Sequence, residues 1–208
     1  MSSGKVRASL TLGGLVIVVI LLQGAAGLFA LWYNHRQQAE MQGALAAAMT
    51  RLEAAQRAQA AFRIQVQEWK NVLLRGHDQT LLARHQASFE DHSRTVTEAL
   101  RALGPRAEAA RASHDAVDRS YAMVRAGADV TSAEGAREAD ARLRGIDREL
   151  QDMLDSLVDE QTEAVTEAFR TAEGQAASVY QSMRMMLLAT AAIGSLAAVG
   201  LVFVASRR

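Results

Sequence analysis

Apolar residues fill two long stretches of this chain, one near each end, and most polar residues lie between them. The first stretch covers residues 9–33 and the second covers residues 185–206. Each is long enough, at the rise of an α-helix, to cross a bilayer core of about 30 Å. The pattern predicts two transmembrane helices there, an N-terminal end at 1–8, an extramembrane domain at 34–184 and a C-terminal end at 207–208.

Basic residues at the outer ends of both stretches predict an orientation. Lys5 and Arg7 precede the first stretch, and Arg207 and Arg208 follow the second. Because Lys and Arg collect on the cytoplasmic side of a membrane, we expect both termini in the cytoplasm, the central domain outside it and membrane lipid as a partner. A cleaved signal peptide is the alternative for the first stretch, although its apolar run is longer than such a peptide needs.

Helix-breaking residues are rare in the central domain and fall in three short segments. They are Gly76-His77-Asp78, Gly104-Pro105 and residues 127–132. Glycine suits the position after a helix, proline suits the first turn of the next helix, and Asp, Ser or Thr suits the N-cap. Three turns predict four helices, at 9–75, 79–103, 105–126 and 133–206, of which the first and last are continuous with the predicted spans.

Inside these helices the apolar positions recur every three or four residues, which is the spacing of a bundle seam. In helix one the repeat is regular over Met41, Leu45, Ala48, Leu52, Ala55, Gln59, Phe62, Val66, Trp69 and Leu73. The other three helices carry looser versions of the same repeat. Since short connections force neighbouring helices to be antiparallel, the chain is predicted to be all-α, a membrane-anchored antiparallel up-down-up-down four-helix bundle.

Unequal helix lengths predict an assembly. Helices two and three are much shorter than the extramembrane parts of helices one and four, so only two helices remain near the predicted membrane. Two helices bury an apolar stripe poorly, and the Ala-rich run at 44–48 allows a further helix to approach closely. A parallel homodimer would restore four helices at that level and is the predicted assembly.

Charge and motif content exclude several classes of function. Between residues 34 and 183 the chain has 18 Lys and Arg against 23 Asp and Glu, a net charge of −5. Binding to nucleic acid requires a basic patch, so no nucleic-acid partner is expected. The chain has no nucleophile elbow, phosphate-binding loop or zinc-protease motif, and we do not expect an enzyme.

A distinctive string, QVQEWKNVLLRG, covers residues 65–76 at the end of helix one. Together with the order of span, helical bundle and span, it resembles the periplasmic sensor region of bacterial methyl-accepting chemotaxis proteins and related transducers. The resemblance implies an inner-membrane protein with a periplasmic sensor domain and a cytoplasmic or membrane signalling partner. No HAMP linker, methylation helices or kinase-coupling hairpin follows Arg208, so we expect either the sensory part of a longer receptor or a stand-alone form.

The residues of this string admit both a structural and a functional interpretation. Its apolar members fall on the seam, and Gly76 suits a helix end. Its polar members predict a hydrogen-bonded cluster, a dimer contact or direct contact with a ligand. The residues of the string that carry the resemblance are Gln65, Gln67, Glu68, Trp69, Lys70, Asn71, Leu74, Arg75 and Gly76.

Three histidines occupy inward positions of helices two and three. They are His85, His92 and His114. Counted from the turn at 104–105, His92 and His114 lie at similar heights, and two facing imidazoles suit a transition metal, a non-covalent haem or a polar ligand pocket. Covalent c-type haem is excluded because no Cys-x-x-Cys-His motif is present. The alternative is that these histidines are ordinary residues at the rim of a narrow core.

A ligand site at the dimer interface is a further hypothesis, and it involves Gln59, Arg63 and Gln67. The sequence leaves two functions open. One is a dimeric sensor domain that relays a small-molecule or membrane-state signal through its spans. The other is a passive coiled-coil scaffold or an accessory subunit of a membrane complex.

Overall fold

The computed structural model describes the backbone of residues 3–206. It describes the side chains in that range except those of 3–13, 15, 16, 19, 22, 197, 198, 201, 202 and 204–206. Within the described chain every regular element is a helix. The four basic side chains on which the predicted orientation depends lie outside the described side chains: Lys5, Arg7, Arg207 and Arg208.

Five α-helices and one short 3-10 helix follow one another along the described chain. They are α1 (Ser3–Arg75), α2 (Gln79–Leu103), the 3-10 helix Gly104–Ala107, α3 (Glu108–Gly127), α4 (Ala133–Leu143) and α5 (Arg148–Ser206). The predicted end of helix one and both predicted ends of helix two are confirmed.

Side-chain caps explain where two of these helices begin. The carboxylate of Asp78 accepts hydrogen bonds from the backbone N–H groups of Thr80 at 2.8 Å and Leu81 at 3.1 Å. The hydroxyl of Ser132 accepts from the backbone N–H of Gly135 at 3.2 Å. These bonds satisfy donors that a helix start leaves without partners, and both residues were among the N-caps that the sequence predicts.

The predicted fourth helix is wrong as a single element, because the chain turns between α4 and α5. Gly145, within this turn, has φ of 79°, a left-handed conformation that side chains with a Cβ rarely adopt. The helical ladder stops at Leu143 and restarts at Arg148. The apolar repeat resumes at Ile146 in nearly the same phase, and for that reason the periodicity alone does not reveal the break.

The described chain divides into two compact units, of which one comprises Leu45–Ala168 and the other the segments up to Ala44 and from Phe169. All the buried apolar side chains among the described residues lie in Leu45–Ala168, which we call the core unit. In the other unit many large apolar side chains are exposed, including Leu28, Phe29 and Leu187.

The core unit is a helical bundle with one hydrophobic core. Buried apolar side chains from α1, α2, α3 and α5 pack together in it. Phe62, Leu100, Leu150 and Leu154 are each 0% exposed. Burial of such a side chain contributes roughly 1.5–3 kcal/mol to the free energy of unfolding. The predicted seam of helix one is confirmed, since every one of its positions is buried or half-buried.

The predicted localisation in a membrane is corrected by the structure. Among the described residues, no helix contains a stretch long and apolar enough to cross a bilayer. For the described residues, this absence contradicts the predicted two-span inner-membrane placement with cytoplasmic termini and a periplasmic centre. Some side chains of both predicted spans lie outside the described residues, namely 9–13, 15, 16, 19 and 22 in the first span and 197, 198, 201, 202 and 204–206 in the second.

Candidate functional site

A chain of polar side chains crosses the interior of the core unit and joins α1, α2 and α3. The amide of Gln65 donates to Asp118 Oδ1 at 2.7 Å, and its carbonyl oxygen lies 3.2 Å from His114 Nε2. The hydroxyl of Ser93 donates to Asp118 Oδ2, and that of Thr97 lies 3.5 Å from His114 Nδ1. Gln65 and His114 are both 0% exposed. We call these five residues the polar chain.

The partners of His114 determine its charge and tautomer. Because the carbonyl of Gln65 can only accept, Nε2 of His114 carries the proton and donates. Nδ1 is then the acceptor for the hydroxyl of Thr97. Burial lowers the pKa of His114 below its usual value, against the opposing attraction of Asp118 and Asp115. The imidazole is therefore neutral, and every hydrogen bond in the polar chain has one donor and one acceptor.

Three aromatic rings pack together beside the polar chain. The ring centroids of Trp69 and Tyr121 are 5.0 Å apart, and those of Phe89 and Tyr121 are 5.2 Å apart. These distances and the tilted or edge-on geometries are favourable for aromatic pairs. Burial, followed by the charges of Asp147 and Asp118, raises the pKa of Tyr121 well above its usual value. The indole N–H of Trp69 is buried and has no hydrogen-bond partner in the described part of the chain.

A cavity of about 310 Å³ opens where the aromatic cluster meets the polar chain. We call it the aromatic cavity; its walls include Trp69, Phe89, Ser93, Asp118 and Tyr121. Its two arginines are paired with carboxylates, Arg125 with Glu90 at 2.9 Å and Arg94 with Asp91 at 2.7 Å.

Asp118 differs from the other carboxylates around the aromatic cavity. Its hydrogen-bond partners, Ser93 and Gln65, are uncharged, and the imidazole that lies 3.7 Å away, that of His114, is neutral. Asp118 therefore places a carboxylate that lacks a cationic partner in the described structure beside the aromatic surface. A cationic group is the kind of ligand that such a wall attracts.

The structure does not bring the predicted histidine pair together. His92 Nδ1 lies 2.7 Å from the backbone carbonyl of Ser88 in its own helix, so the ring donates there. His85 Nδ1 lies 2.6 Å from Glu68 Oε2, and its Nε2 is buried without a partner in the described structure. Among the described residues no group of three or more His, Asp or Glu side chains is arranged to hold a metal ion.

Gln59 and Arg63, which the sequence places at a dimer interface, contact α5 of the same chain. Gln59 Nε2 donates to Asp155 Oδ1 at 2.7 Å, and Arg63 Nη2 donates to the same oxygen at 3.2 Å. Burial opposes the charged form of Asp155, but the hydrogen bonds from Gln59 and Gln151 and the charge of Arg63 outweigh it and lower the pKa. Gln67 is exposed.

Three of the polar-chain residues, Ser93, Thr97 and Asp118, were missed by the sequence reasoning. Asp118 follows His114 by four residues on α3, so the two share a helix face. That spacing is the signal that could have identified Asp118. Ser93 and Thr97 share a face of α2 in the same way, but hydroxyl side chains at such a spacing are too common to single out.

A second, larger cavity of about 700 Å³ lies where the end of α1 meets the loop before α4. Lys70, Leu73 and Leu74 of α1 contribute to its wall, together with Val130 of the loop and Arg137 of α4. We call it the distal cavity. The distinctive string of residues 65–76 thus contributes to the polar chain, the aromatic cavity and the distal cavity.

Comparison with known proteins gives one significant similarity. The chain is 35% identical over 112 residues to the methyl-accepting chemotaxis protein CtpH of Pseudomonas aeruginosa. The match covers 48% of this chain and 19% of that protein, so the chain spans about a fifth of its relative's length. No family model and no solved structure matches. The similarity supports the resemblance to methyl-accepting chemotaxis proteins and a role in signal transduction.

Proposed function

We propose that the core unit is the ligand-responsive sensor domain of a chemoreceptor-like signalling protein. The observation that carries this proposal is the Asp118 carboxylate, held by uncharged partners from α1 and α2 at the wall of an aromatic-lined cavity. The similarity to a methyl-accepting chemotaxis protein supports the same function. The domain carries no catalytic role in this proposal.

The ligand that we propose is a small organic molecule with an ammonium group. Its cation would lie at Asp118 and its apolar part against Trp69, Phe89 and Tyr121. The unpartnered indole N–H of Trp69 is a donor for an acceptor atom of the same ligand. The bound ammonium group would compete with Ser93 and Gln65 for hydrogen bonds to the Asp118 carboxylate. Because these hydrogen bonds join α3 to α2 and α1, ligand binding would alter the packing of α1 against α2 and α3.

The signal requires an assembly and an output partner. We propose that the chain acts as a homodimer and that a signalling protein or further domain receives the change. This expectation rests on the similarity to the methyl-accepting chemotaxis protein CtpH. The bundle is a suitable transmitter because packed cores have discrete arrangements and small shifts are not absorbed continuously.

A passive coiled-coil scaffold is the alternative function, and ligand-linked stabilisation separates the two. The purified full chain would be melted with and without a panel of amino acids, diamines and amino alcohols. A binder at 100 times its Kd stabilises a protein by about 2.7 kcal/mol. We expect at least one amine to raise the melting temperature, whereas a scaffold would respond to none.

Two variants make the test specific to the proposed site. Asp118→Asn should remove the amine-dependent shift, because it removes the negative charge while keeping the shape. Asp115→Asn is the matched control, since Asp115 is an exposed residue of the same helix. Circular dichroism should show that both variants keep the helical content of the parent chain. An unchanged shift in Asp118→Asn would contradict the proposed site.

A further inference from the structure

The distal cavity has more than twice the volume of the aromatic cavity, and its surface is mainly aliphatic. Leu73, Leu74, Val130 and Ala136 supply that surface. Leu74 is 72% exposed, a large value for a leucine in a bundle. A cavity of about 700 Å³ falls within the ~300–1,000 Å³ range of small-molecule sites.

Cations border this aliphatic surface. Lys70 and Arg137 both line the cavity, as does the imidazole of His77. In the described structure neither Lys70 nor Arg137 forms an ion pair with a carboxylate, and Arg137 uses only Nε, which donates to the backbone carbonyl of Ala133 at 3.1 Å. Its two terminal nitrogens are therefore available to a ligand.

Among the described residues, Asp140 is the one carboxylate that lines the distal cavity. It lies 3.9 Å from Arg144, outside the cavity wall, so part of its charge is already balanced. The cavity therefore has a net positive charge within a domain whose net charge is negative. The hydroxyls of Thr131 and Ser132 are occupied, since both donate to Asp129, at 2.5 Å and 3.1 Å.

The backbone that forms the cavity is closely packed. A Cβ at Gly76 would overlap the carbonyl oxygen of Val130 and would lie 2.9 Å from the carbonyl of Val72. Only glycine therefore lets the loop before α4 rest on the end of α1. Gly135, in the first turn of α4, allows a similarly close approach to the carbonyl of Asp129 in the loop. The two walls of the cavity are held together by these contacts, so the site is preformed.

We propose that the distal cavity binds a small organic anion, a monocarboxylate with a branched aliphatic or aromatic body. The carboxylate would lie between Lys70 and Arg137, and the body would cover Leu73, Leu74 and Val130. Arginine binds a carboxylate through two parallel N–H bonds, and lysine adds a point charge. This inference does not depend on the proposed sensing of amines at Asp118, because the two cavities share no lining residue.

Three probes of related shape test the two parts of this proposal on the full chain. Benzoate has both the charge and the apolar body, benzamide keeps the body without the charge, and acetate keeps the charge without the body. We expect titration calorimetry to show saturable binding of benzoate, and benzamide and acetate to bind at least tenfold more weakly. Equal binding of benzoate and benzamide, or of benzoate and acetate, would overturn the proposal, as would no binding of benzoate.

Variants at the cavity identify the residues that hold the anion. Lys70→Gln and Arg137→Gln should each weaken benzoate binding about tenfold, the loss of one charge-assisted hydrogen bond. Arg142→Gln is the matched control, because Arg142 is on α4 and pairs with Glu138 at 2.6 Å without lining the cavity. It should bind benzoate with unchanged affinity.

The same titration distinguishes this site from the proposed amine site. Asp118→Asn should bind benzoate like the parent chain, and Lys70→Gln should retain any amine-dependent rise in melting temperature. Failure of the amine panel with normal benzoate binding would reject the sensing proposal alone. Loss of benzoate binding in Asp118→Asn or in Arg142→Gln would reject the distal site as the place where the anion binds.

Discussion

The aromatic cavity and the distal cavity are lined by adjacent residues of α1, yet they differ in volume, exposure and charge. Trp69 and Val72 line the aromatic cavity, whereas Lys70, Leu73 and Leu74 line the distal one. Trp69 is 5% exposed and Leu74 is 72% exposed. The aromatic cavity has an uncompensated carboxylate, and the distal cavity has uncompensated cations.

The difference shows how one helix can serve stability and binding at the same time. The aromatic cavity is lined in part by residues of the hydrophobic core, so substituting one of them changes the free energy of unfolding as well as the site. In the distal cavity Val130 belongs to that core and Leu73 packs against it, but the charged residues that line the cavity are exposed. Changes there should alter binding with little effect on folding, and the following predictions test this contrast in order of decreasing effect.

Truncation of Trp69 should have the largest effect on stability. Trp69→Ala removes contacts with Phe89 and Tyr121, and loss of a large core aromatic costs about 3–5 kcal/mol. Chemical denaturation followed by circular dichroism measures this change. Trp32→Ala is the control, since Trp32 lies outside the core unit, is 56% exposed and should change the free energy of unfolding by less than about 0.5 kcal/mol. Equal effects of the two substitutions would contradict the placement of Trp69 in the core.

Gly76→Ala should come next, because the new Cβ would overlap the carbonyl of Val130. The loop before α4 must then move away from α1, and we expect a loss of about 2–4 kcal/mol in the free energy of unfolding. Gly174→Ala in α5 is the matched control: its Cβ meets nothing within 4 Å, and alanine favours a helix by ~0.5–1 kcal/mol. A Gly76→Ala protein as stable as the parent would show that the loop is not held as described.

The buried imidazole of the polar chain should give the core unit a distinct pH dependence. His114 has a lowered pKa when folded, so below the ordinary histidine pKa of 6.5 the unfolded chain binds the extra proton first. Stability is therefore complete above that pH and decreases as the pH falls below it, by at most about 1.4 kcal/mol per pH unit. Asp155, whose pKa is also lowered, adds a loss of stability only at more acidic pH, from the ordinary aspartate pKa of 3.8 downwards.

Melting curves between pH 5 and 8 would measure this slope. His114→Gln should flatten the profile between about pH 5 and 6.5, because the titrating group is removed. His77→Gln is the control, since His77 is exposed and makes no hydrogen bond in the described structure. A parent chain with a flat profile over this range would contradict the burial of a neutral His114.

Lys70→Gln should have the smallest effect on folding. Lys70 is exposed and unpaired in the described structure, and such surface substitutions usually change stability by less than about 0.5 kcal/mol. Chemical denaturation would check this in the same preparation used for benzoate titration. A loss comparable to that of Trp69→Ala would remove the contrast between the two cavities.

Local patterns explain why much of the bundle could be predicted. The apolar repeat of α1 and the caps at Asp78 and Ser132 involve residues only a few positions apart, so the sequence contains all the required information. The burial of Trp69 follows from this repeat, and that of His114 follows from the looser repeat of α3. The break at 144–147 was missed because the apolar repeat continues across it. A single glycine in such a repeat does not reveal whether it adopts a left-handed conformation.

The hydrogen bonds of the polar chain were predicted less completely, because a buried polar side chain can bond to partners on several different helices. The sequence placed His92 with His114, but His92 donates to a carbonyl of its own helix and His114 joins Gln65 instead. The helical repeat specifies a residue's height and face to within about a turn. A hydrogen bond needs its two atoms placed to within a few tenths of an ångström, and only packing provides that.

The sequence by itself therefore determined which residues are helical, where most helices start and stop, and which face of each is buried, since these properties depend on spacing along the chain. The localisation in a membrane, inferred from the same kind of local pattern, was wrong. Tertiary structure alone decided the partners of Gln65, the shape and charge of the two cavities and the role of Gly76. These features arise where segments distant in sequence meet, and no local spacing specifies how closely they approach.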